Sequence, residues 1–337
     1  MSKLIRSLMV MAACLAVMGC LSQAGEKVYR IGGAAYGLSG EYMKLWATAL
    51  ERHPAVTQGL VQVTVFDGRY DASVQQSQFE TMSAQKYDAI LFVPIDIEAG
   101  AAAVATASAA GIPVIGSNTR VNSDLLTAYI GSNDVVSGYL EAKAVIDKMG
   151  GKGNVVIIEG PIGQSAQIER LEGNKKALAE YPNIKVLEQK TANWSRAEAL
   201  ALMENWLTAH PGQIQGVIGQ NDEMALGAVQ AIKAAGLDLS KFAIAGIDGV
   251  SDAITAVKNG EMDLSILQDA VSQAQGALDI ALGQIIPNYQ PLSACWKDYA
   301  DMKWEGGKLK VYDVPWTPIT KANADEQWAK RQDLTSR

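Results

Sequence analysis

Polar side chains stand where the apolar runs of this chain end. Phe66 is followed by Asp67-Gly68-Arg69, Val93 by Pro94-Ile95-Asp96, Ile115 by Gly116-Ser117-Asn118, and Ile130 by Gly131-Ser132-Asn133-Asp134. Further on, Ile218 is followed by Gly219-Gln220-Asn221-Asp222, Ile247 by Asp248-Gly249, and Leu267 by Gln268-Asp269. Amides and single carboxylates in such places can make paired hydrogen bonds to hydroxyl groups. Helix capping is the simpler use, and it suffices for Asp96, Asp134 and Asp222. It accounts less well for Asn221, Asp248 and Gln268 together, because one helix start needs only one capping side chain. The chemistry expected is recognition of a hydroxylated small molecule. Bond-breaking chemistry is short of parts: the only histidines are His53 and His210, each before a proline, and there are 3 cysteines. That shortage weighs against a metal centre and a nucleophile–base pair. No G-x-x-x-x-G-K-[ST] loop and no G-x-S-x-G elbow occur. Gly32, Gly33, Gly37 and Gly40 lack the G-x-G-x-x-G spacing, so no cofactor is expected.

Strand carboxyl ends must hold these residues. Apolar runs at 28–31, 61–66, 89–93, 112–115 and 128–130 read as strands, with helical patterns at 40–52, 72–85 and 99–110 between them. Strands separated by 10–15-residue helical patterns indicate βαβ units and a parallel sheet. The pattern restarts at 154–158 and runs through strands at 184–187, 216–218, 242–245 and 264–267. Helices are expected at 166–181, 196–209, 223–235, 250–259 and 272–282. Two α/β lobes fit 337 residues better than one very wide sheet. In open parallel sheets ligands bind outside the carboxyl ends of the strands.

Composition supports a globular chain, with 48% hydrophobic and 19% charged residues. A formal charge of −7 excludes a basic nucleic-acid binder. Lys3 and Arg6 precede an apolar run from Leu8 to Met18, too short to span a bilayer, and Ser22-Gln23-Ala24 offers a signal-peptidase site. Val17-Met18-Gly19-Cys20 competes as a lipobox, with Cys20 lipidated. Either reading exports the protein, to the periplasm or to a membrane anchor through Cys20. Loss of residues 1–24 takes the charge from −7 to −9 and leaves Cys295 alone, so no disulfide framework is expected.

Several ordered segments resemble the ribose-type periplasmic sugar-binding proteins, the substrate-binding components of ABC transporters. They are Gln220-Asn-Asp-Glu-Met-Ala-Leu-Gly-Ala228, Ala245-Gly-Ile-Asp-Gly249, and Gly160-Pro-Ile-Gly-Gln-Ser165 with Glu169-Arg170 and Glu172-Gly173. Ala110-Gly-Ile-Pro-Val-Ile115 and Tyr129-Ile-Gly-Ser-Asn-Asp134 add to them. The resemblance covers about Tyr29 to Leu282. It implies an α/β fold of two Rossmann-like lobes with parallel sheets joined by a three-crossing hinge, the type I periplasmic binding protein. The expected division is a signal peptide at 1–24, an N-terminal lobe at 25–131 and 269–295, and a C-terminal lobe and tail at 132–268 and 296–337.

The resemblance also implies a ligand site. Asn221, Asp248 and Gln268 match hydroxyl-binding residues, and Trp194 matches an aromatic that covers one face of the sugar. Asn118 sits at a position usually Asp or Asn, and Tyr42, with Tyr36 nearby, sits where first-helix aromatics fall. Sugar rings have apolar C–H faces for aromatics and hydroxyls for planar polar groups. The sequence also departs from the pattern. Ile168 replaces an arginine, Thr119 stands where an arginine usually follows Asn118, with Arg120 one place later, and Val93 replaces a polar residue. Glu41 stands at an aromatic position, where it either faces the cleft as a new acceptor or lies exposed on the first helix. The implied ligand is a sugar, polyol or sugar derivative other than ribose, and the implied partner is an ABC permease served by a monomeric binding protein. A ligand-sensing protein for a chemoreceptor or two-component sensor is the alternative.

Overall fold

The computed structural model of the protein describes residues 27–336. The expected leader, with Cys14 and Cys20, lies outside the described residues. Strands β1 (Tyr29–Ala35), β2 (Val61–Asp67), β3 (Ala89–Phe92), β4 (Val114–Ser117) and β5 (Ala128–Gly131) alternate with helices α1 (Glu41–Glu51), α2 (Pro54–Thr57), α3 (Ala72–Ala84) and α4 (Ala99–Ala109). They pair in parallel in the order β5-β4-β3-β1-β2. A second unit contains α5 (Asp134–Lys148), β6 (Gly153–Glu159), α6 (Ser165–Ala179), β7 (Ile184–Thr191) and α7 (Arg196–Ala209). It continues with β8 (Gly216–Gly219), α8 (Asp222–Ala234), β9 (Ala243–Asp248), α9 (Ser251–Asn259) and β10 (Leu264–Leu267), paired in the order β10-β9-β8-β6-β7. In both sheets the strand order reverses beside the first strand, which places a ligand-binding crevice there.

The strands are apolar because helices cover both faces of each sheet. All four residues of β3 are buried. Trp46 of α1 is fully buried, and its indole N–H donates to Ser117 Oγ at 3.0 Å. Phe79 and Phe92 meet edge to face at 4.6 Å between α3 and β3. Helix α5 was not among the expected helices, although Asp134 at its start was read as a cap. Its packing is tight. A Cβ at Gly138 would lie 2.1 Å from the Arg170 carbonyl oxygen, so glycine lets α5 and α6 touch backbone to backbone.

Three segments cross between the lobes. They join β5 to α5, β10 to α10 (Ala270–Ile285), and β11 (Val311–Asp313) to β12 (Thr317–Ile319). Helix α10 packs on α1 and β4 of the first lobe, followed by the short α11 (Cys295–Asp298). The expected boundary at 296 needs correction. Strand β11 extends the first sheet beside β5, and the crossing comes only after Asp313. Trp296 and Trp304, 5.0 Å apart, pack this stretch onto the first lobe with Tyr289 and Tyr312. Strand β12 then lies antiparallel to β10 in the second sheet, and α12 (Ala324–Ser336) packs on α9.

His53 has a structural role. Its Nδ1 accepts from the Ala55 N–H, which leaves Nε2 to face Asp279 Oδ1 at 3.2 Å. Asp279 also accepts from Tyr289 Oη at 2.6 Å, Trp296 Nε1 at 2.8 Å and the Leu292 and Ser293 N–H groups at 3.0 Å. Burial raises its pKa, but the bonds from His53, Ser293 and Tyr289 outweigh burial and hold it below the usual range.

Candidate functional site

The carboxyl ends of the two sheets face each other across a cleft, and a buried arginine organises its C-terminal side. Arg170 of α6 is 3% exposed. Its Nε donates to Asp134 Oδ1 at 2.7 Å, Nη1 to the Gln220 carbonyl at 2.5 Å, and Nη2 to Gln268 Oε1 at 3.3 Å. The guanidinium lies 5.4 Å from the Trp194 ring and 5.9 Å from the Trp316 ring. Burial opposes its charge, yet Asp134 and Asp248 outweigh that and keep it protonated. Sequence reasoning missed Arg170 by assigning the position to Ile168. Ile168 is 44% exposed, whereas Arg170 on the same helix is buried beside Asp134 and Gln268.

Asp248 ends β9 at φ +127, followed by Gly249 at φ +66. A Cβ at Gly249 would lie 2.8 Å from Leu267 Cδ1, so the turn requires glycine. The Asp248 carboxylate has no side-chain hydrogen bond among the described residues. Burial pushes its pKa well above the usual carboxylate range, opposed by Arg170. Gln268 is 2% exposed, and its Nε2 is buried without a hydrogen-bond partner. A buried donor left unpaired costs about 1–3 kcal/mol, which a ligand oxygen recovers.

The neighbouring acids correct the capping assignment. Asn221 Oδ1 caps α8 by accepting from the Met224 N–H at 2.9 Å, and Asn133 caps α5. Asp134 pairs with Arg170 instead of capping. Asp222 accepts from the Val250 N–H at 2.9 Å and from Ser265 Oγ at 2.7 Å, tying β10 to the Asp248 turn. Burial raises the Asp222 carboxyl to about 7. Asp96 caps as expected, accepting from the Glu98 and Ala99 N–H groups. The Asn221 amide nitrogen takes no part in this cap.

Trp194 sits at φ +60 after Asn193 at φ +54, a left-handed pair on a bulky residue that must be held by its surroundings. Its indole N–H donates to Gln164 Oε1 at 2.7 Å. A Cβ at Gly160 would lie 2.1 Å from the ring, so that glycine makes room for it. Trp316 donates to the Asn133 carbonyl at the hinge and flanks Arg170.

The N-terminal side is neutral and internally paired. Tyr42 Oη donates to Gln273 Oε1 at 2.6 Å, and Asn118 Nδ2 donates to Tyr42 Oη at 3.0 Å and Gln273 Oε1 at 3.3 Å. Gln273 Nε2 donates to Ser132 Oγ at 3.0 Å. Sequence reasoning missed Gln273. The Tyr36 ring meets that of Tyr70 at 5.5 Å with the planes tilted by 60°, and it lies within the field of Asp248. Val93 is fully buried, and Thr119 Oγ1 donates to the Pro94 carbonyl at 2.8 Å. A cavity of about 640 Å³ lies at the mouth, between Ser39, Tyr70 and Ile95 on one lobe and Pro161, Trp194 and Arg196 on the other. A larger hollow of about 820 Å³, lined by Leu207, Ile214 and Phe242, lies at the amino ends of β8 and β9, away from these groups.

The lobes touch along two seams. On one, the Ile97 N–H donates to the Gly163 carbonyl at 3.0 Å, Gln164 Nε2 to the Pro94 carbonyl at 3.0 Å, and the Arg120 N–H to Ser165 Oγ at 2.7 Å. Arg120 Nε also lies 3.3 Å from Glu169. On the other, Glu41 Oε1 accepts from Ser251. Glu41 therefore follows neither expectation, because it joins the lobes.

Residues 31–286 match the periplasmic binding protein domain family. The chain belongs to this family. The periplasmic binding protein relatives include a xylitol-binding protein of Mycolicibacterium smegmatis, 41% identical over 63% of this chain and 60% of its own length. The chain thus spans less than two thirds of that relative. A putative rhizopine-binding protein of Rhizobium meliloti is 35% identical over 88% of this chain and 91% of that one. The fold matches an ABC transporter solute binding protein of Bacillus halodurans C-125 with bound myo-inositol, at TM-score 0.80 and 30% identity, over 91% of this chain and 100% of that one. The two-lobed α/β expectation is met, and the family places the protein outside the cytoplasm.

Proposed function

We propose that this protein binds a small uncharged polyhydroxylated compound, a polyol, cyclitol or sugar, and delivers it to the permease of an ABC importer. The unpaired Gln268 Nε2 and the Asp248 carboxylate, at the ends of the paired strands β10 and β9, carry the reading. One is a buried donor and the other a buried carboxyl free of protein hydrogen bonds, which suits a ligand hydroxyl that accepts from one and donates to the other. Asn221 Nδ2 extends the set, and Trp194 offers its ring to an apolar ligand face. Asn118 and Tyr42 shape the opposite wall, and Tyr36 closes it. The xylitol and rhizopine relatives and the myo-inositol complex support this class. Ribose is not the preferred ligand, because the N-terminal wall spends its polar groups on one another.

A thermal-shift series with myo-inositol, xylitol, D-ribose and D-galacturonate tests the reading. A ligand at 100 times its Kd adds about 2.7 kcal/mol of stability. The expected order places myo-inositol or xylitol above ribose, with the acid giving no shift. Failure of every neutral compound overturns the ligand class. We also propose a monomeric periplasmic protein, cleaved after Ala24 or anchored through Cys20. Mass spectrometry of the mature N-terminus separates the two forms.

A further inference from the structure

The domain match ends at 286, yet a residue well beyond it reaches the binding turn. Arg331 of α12 is 5% exposed. Its Nη2 donates to the carbonyl of Gly249, the residue after Asp248. Its Nη1 lies 3.8 Å from Glu41 Oε1. That same oxygen accepts from the Ser251 N–H at 2.9 Å and Ser251 Oγ at 2.8 Å. Glu41 opens α1 of the N-terminal lobe, whereas Ser251 and Arg331 belong to the C-terminal lobe. A single carboxylate oxygen is therefore held by a backbone N–H, a hydroxyl and a cation from the opposite lobe. Charge-assisted bonds of this kind are the stronger class.

We infer that Glu41, Ser251 and Arg331 form a clasp that holds the lobes closed over the ligand, with Arg331 as a positioning residue for the Asp248 turn. Two features fit this role. The Asp248-Gly249 turn has positive φ at both residues, a geometry that needs outside support. The clasp also lies opposite the other seam in sequence terms: that seam uses the 94–97 and 163–169 loops, whereas this one uses α1, α9 and α12. Separating the lobes would break the Glu41 contacts with Ser251 and Arg331, so the clasp acts after the ligand has entered. Its loss speeds release and leaves association nearly unchanged.

The inference rests on the proposed cleft binding, so the test separates the two. Stopped-flow kinetics with myo-inositol or xylitol should show dissociation about tenfold faster in Glu41→Ala, with an association rate within twofold of wild type. Ser251→Ala removes the hydroxyl but keeps the backbone N–H, so it should speed dissociation less than Glu41→Ala and add little in that background, because the two share one contact. The ligand-free melting temperature of Glu41→Ala should not fall, which a merely structural role would require. Arg331→Met should weaken binding further by loosening the Asp248 turn. Spin labels at Glu80→Cys and Lys175→Cys, exposed on opposite lobes, read closure without depending on any ligand. Glu41→Ala should lower the closed share at least twofold. If the wild type binds neither compound, the proposed ligand class fails while the label distances still decide the clasp. An unchanged closed share in Glu41→Ala, or an unchanged dissociation rate, overturns it.

Discussion

The two walls of the cleft are built on different principles. The N-terminal wall is a closed circuit of neutral groups: Tyr42, Asn118, Gln273 and Ser132 satisfy one another. The C-terminal wall carries the charge and the unmet demand: Arg170, Asp134, Asp248 and the unpaired amide nitrogen of Gln268. A satisfied wall keeps its shape with or without ligand. An unsatisfied one gains most when a hydroxyl arrives. On the proposed reading, one lobe supplies the shape of the cleft and the other the recognition.

The most damaging change should be Arg170→Met. It strands Asp134 in the interior, and removing one partner of a buried pair costs about 3–5 kcal/mol. Urea denaturation measures that loss, and calorimetry with myo-inositol should find no binding. Asp248→Ala sharpens the contrast. No protein donor loses its partner, so ligand-free stability should hold while affinity falls by about 1–3 kcal/mol. A large drop in ligand-free stability would instead make Asp248 a structural residue.

On the other wall, Tyr42→Phe removes one hydroxyl from the neutral circuit. The expected cost is about 1 kcal/mol of stability with affinity changed only slightly. A loss of binding as large as that of Asp248→Ala would erase the distinction between the walls.

The acids of the C-terminal wall also predict a pH dependence. The Asp222 carboxyl rises from 3.8 unfolded to about 7 in the fold, so the folded state binds the extra proton between those values. Its contribution therefore favours the fold at low pH and is lost as pH rises from about 4 through 7. Asp222→Asn should flatten the stability profile in that window, measured by denaturation at a series of pH values. A profile as steep as that of the wild type would refute the assignment. The smallest effect should come from Ile168→Arg, at an exposed position where affinity stays within twofold of wild type.

The repeating strands and helices were legible because each parallel strand is an apolar run ended by polar residues. Asp248 and Gln268 were legible for the same reason, since both close strands. Arg170 was not, because its burial depends on Asp134, Gln220 and Gln268, far apart in sequence. Glu41 is similar: its partner Ser251 lies 210 residues away. Helix α5 was left out of the expected elements, and its Gly138 serves a neighbouring helix rather than its own. The tail boundary was missed because β11 is three residues long, too short for periodicity to show.

Strands β11 and β12 have a further consequence for the whole molecule. Each is the outermost strand on its side of a sheet, β11 beyond β5 and β12 beyond β10. An uncovered strand edge presents a row of free N–H and C=O groups that invites pairing with another chain. The edges that β11 and β12 present in place of β5 and β10 are three residues long, and β12 carries Pro318, which has no N–H to offer. A chain cut where the domain match ends would keep its cleft residues and bare two edges at once. The residues after 286 thus exchange two four-residue edges for shorter ones.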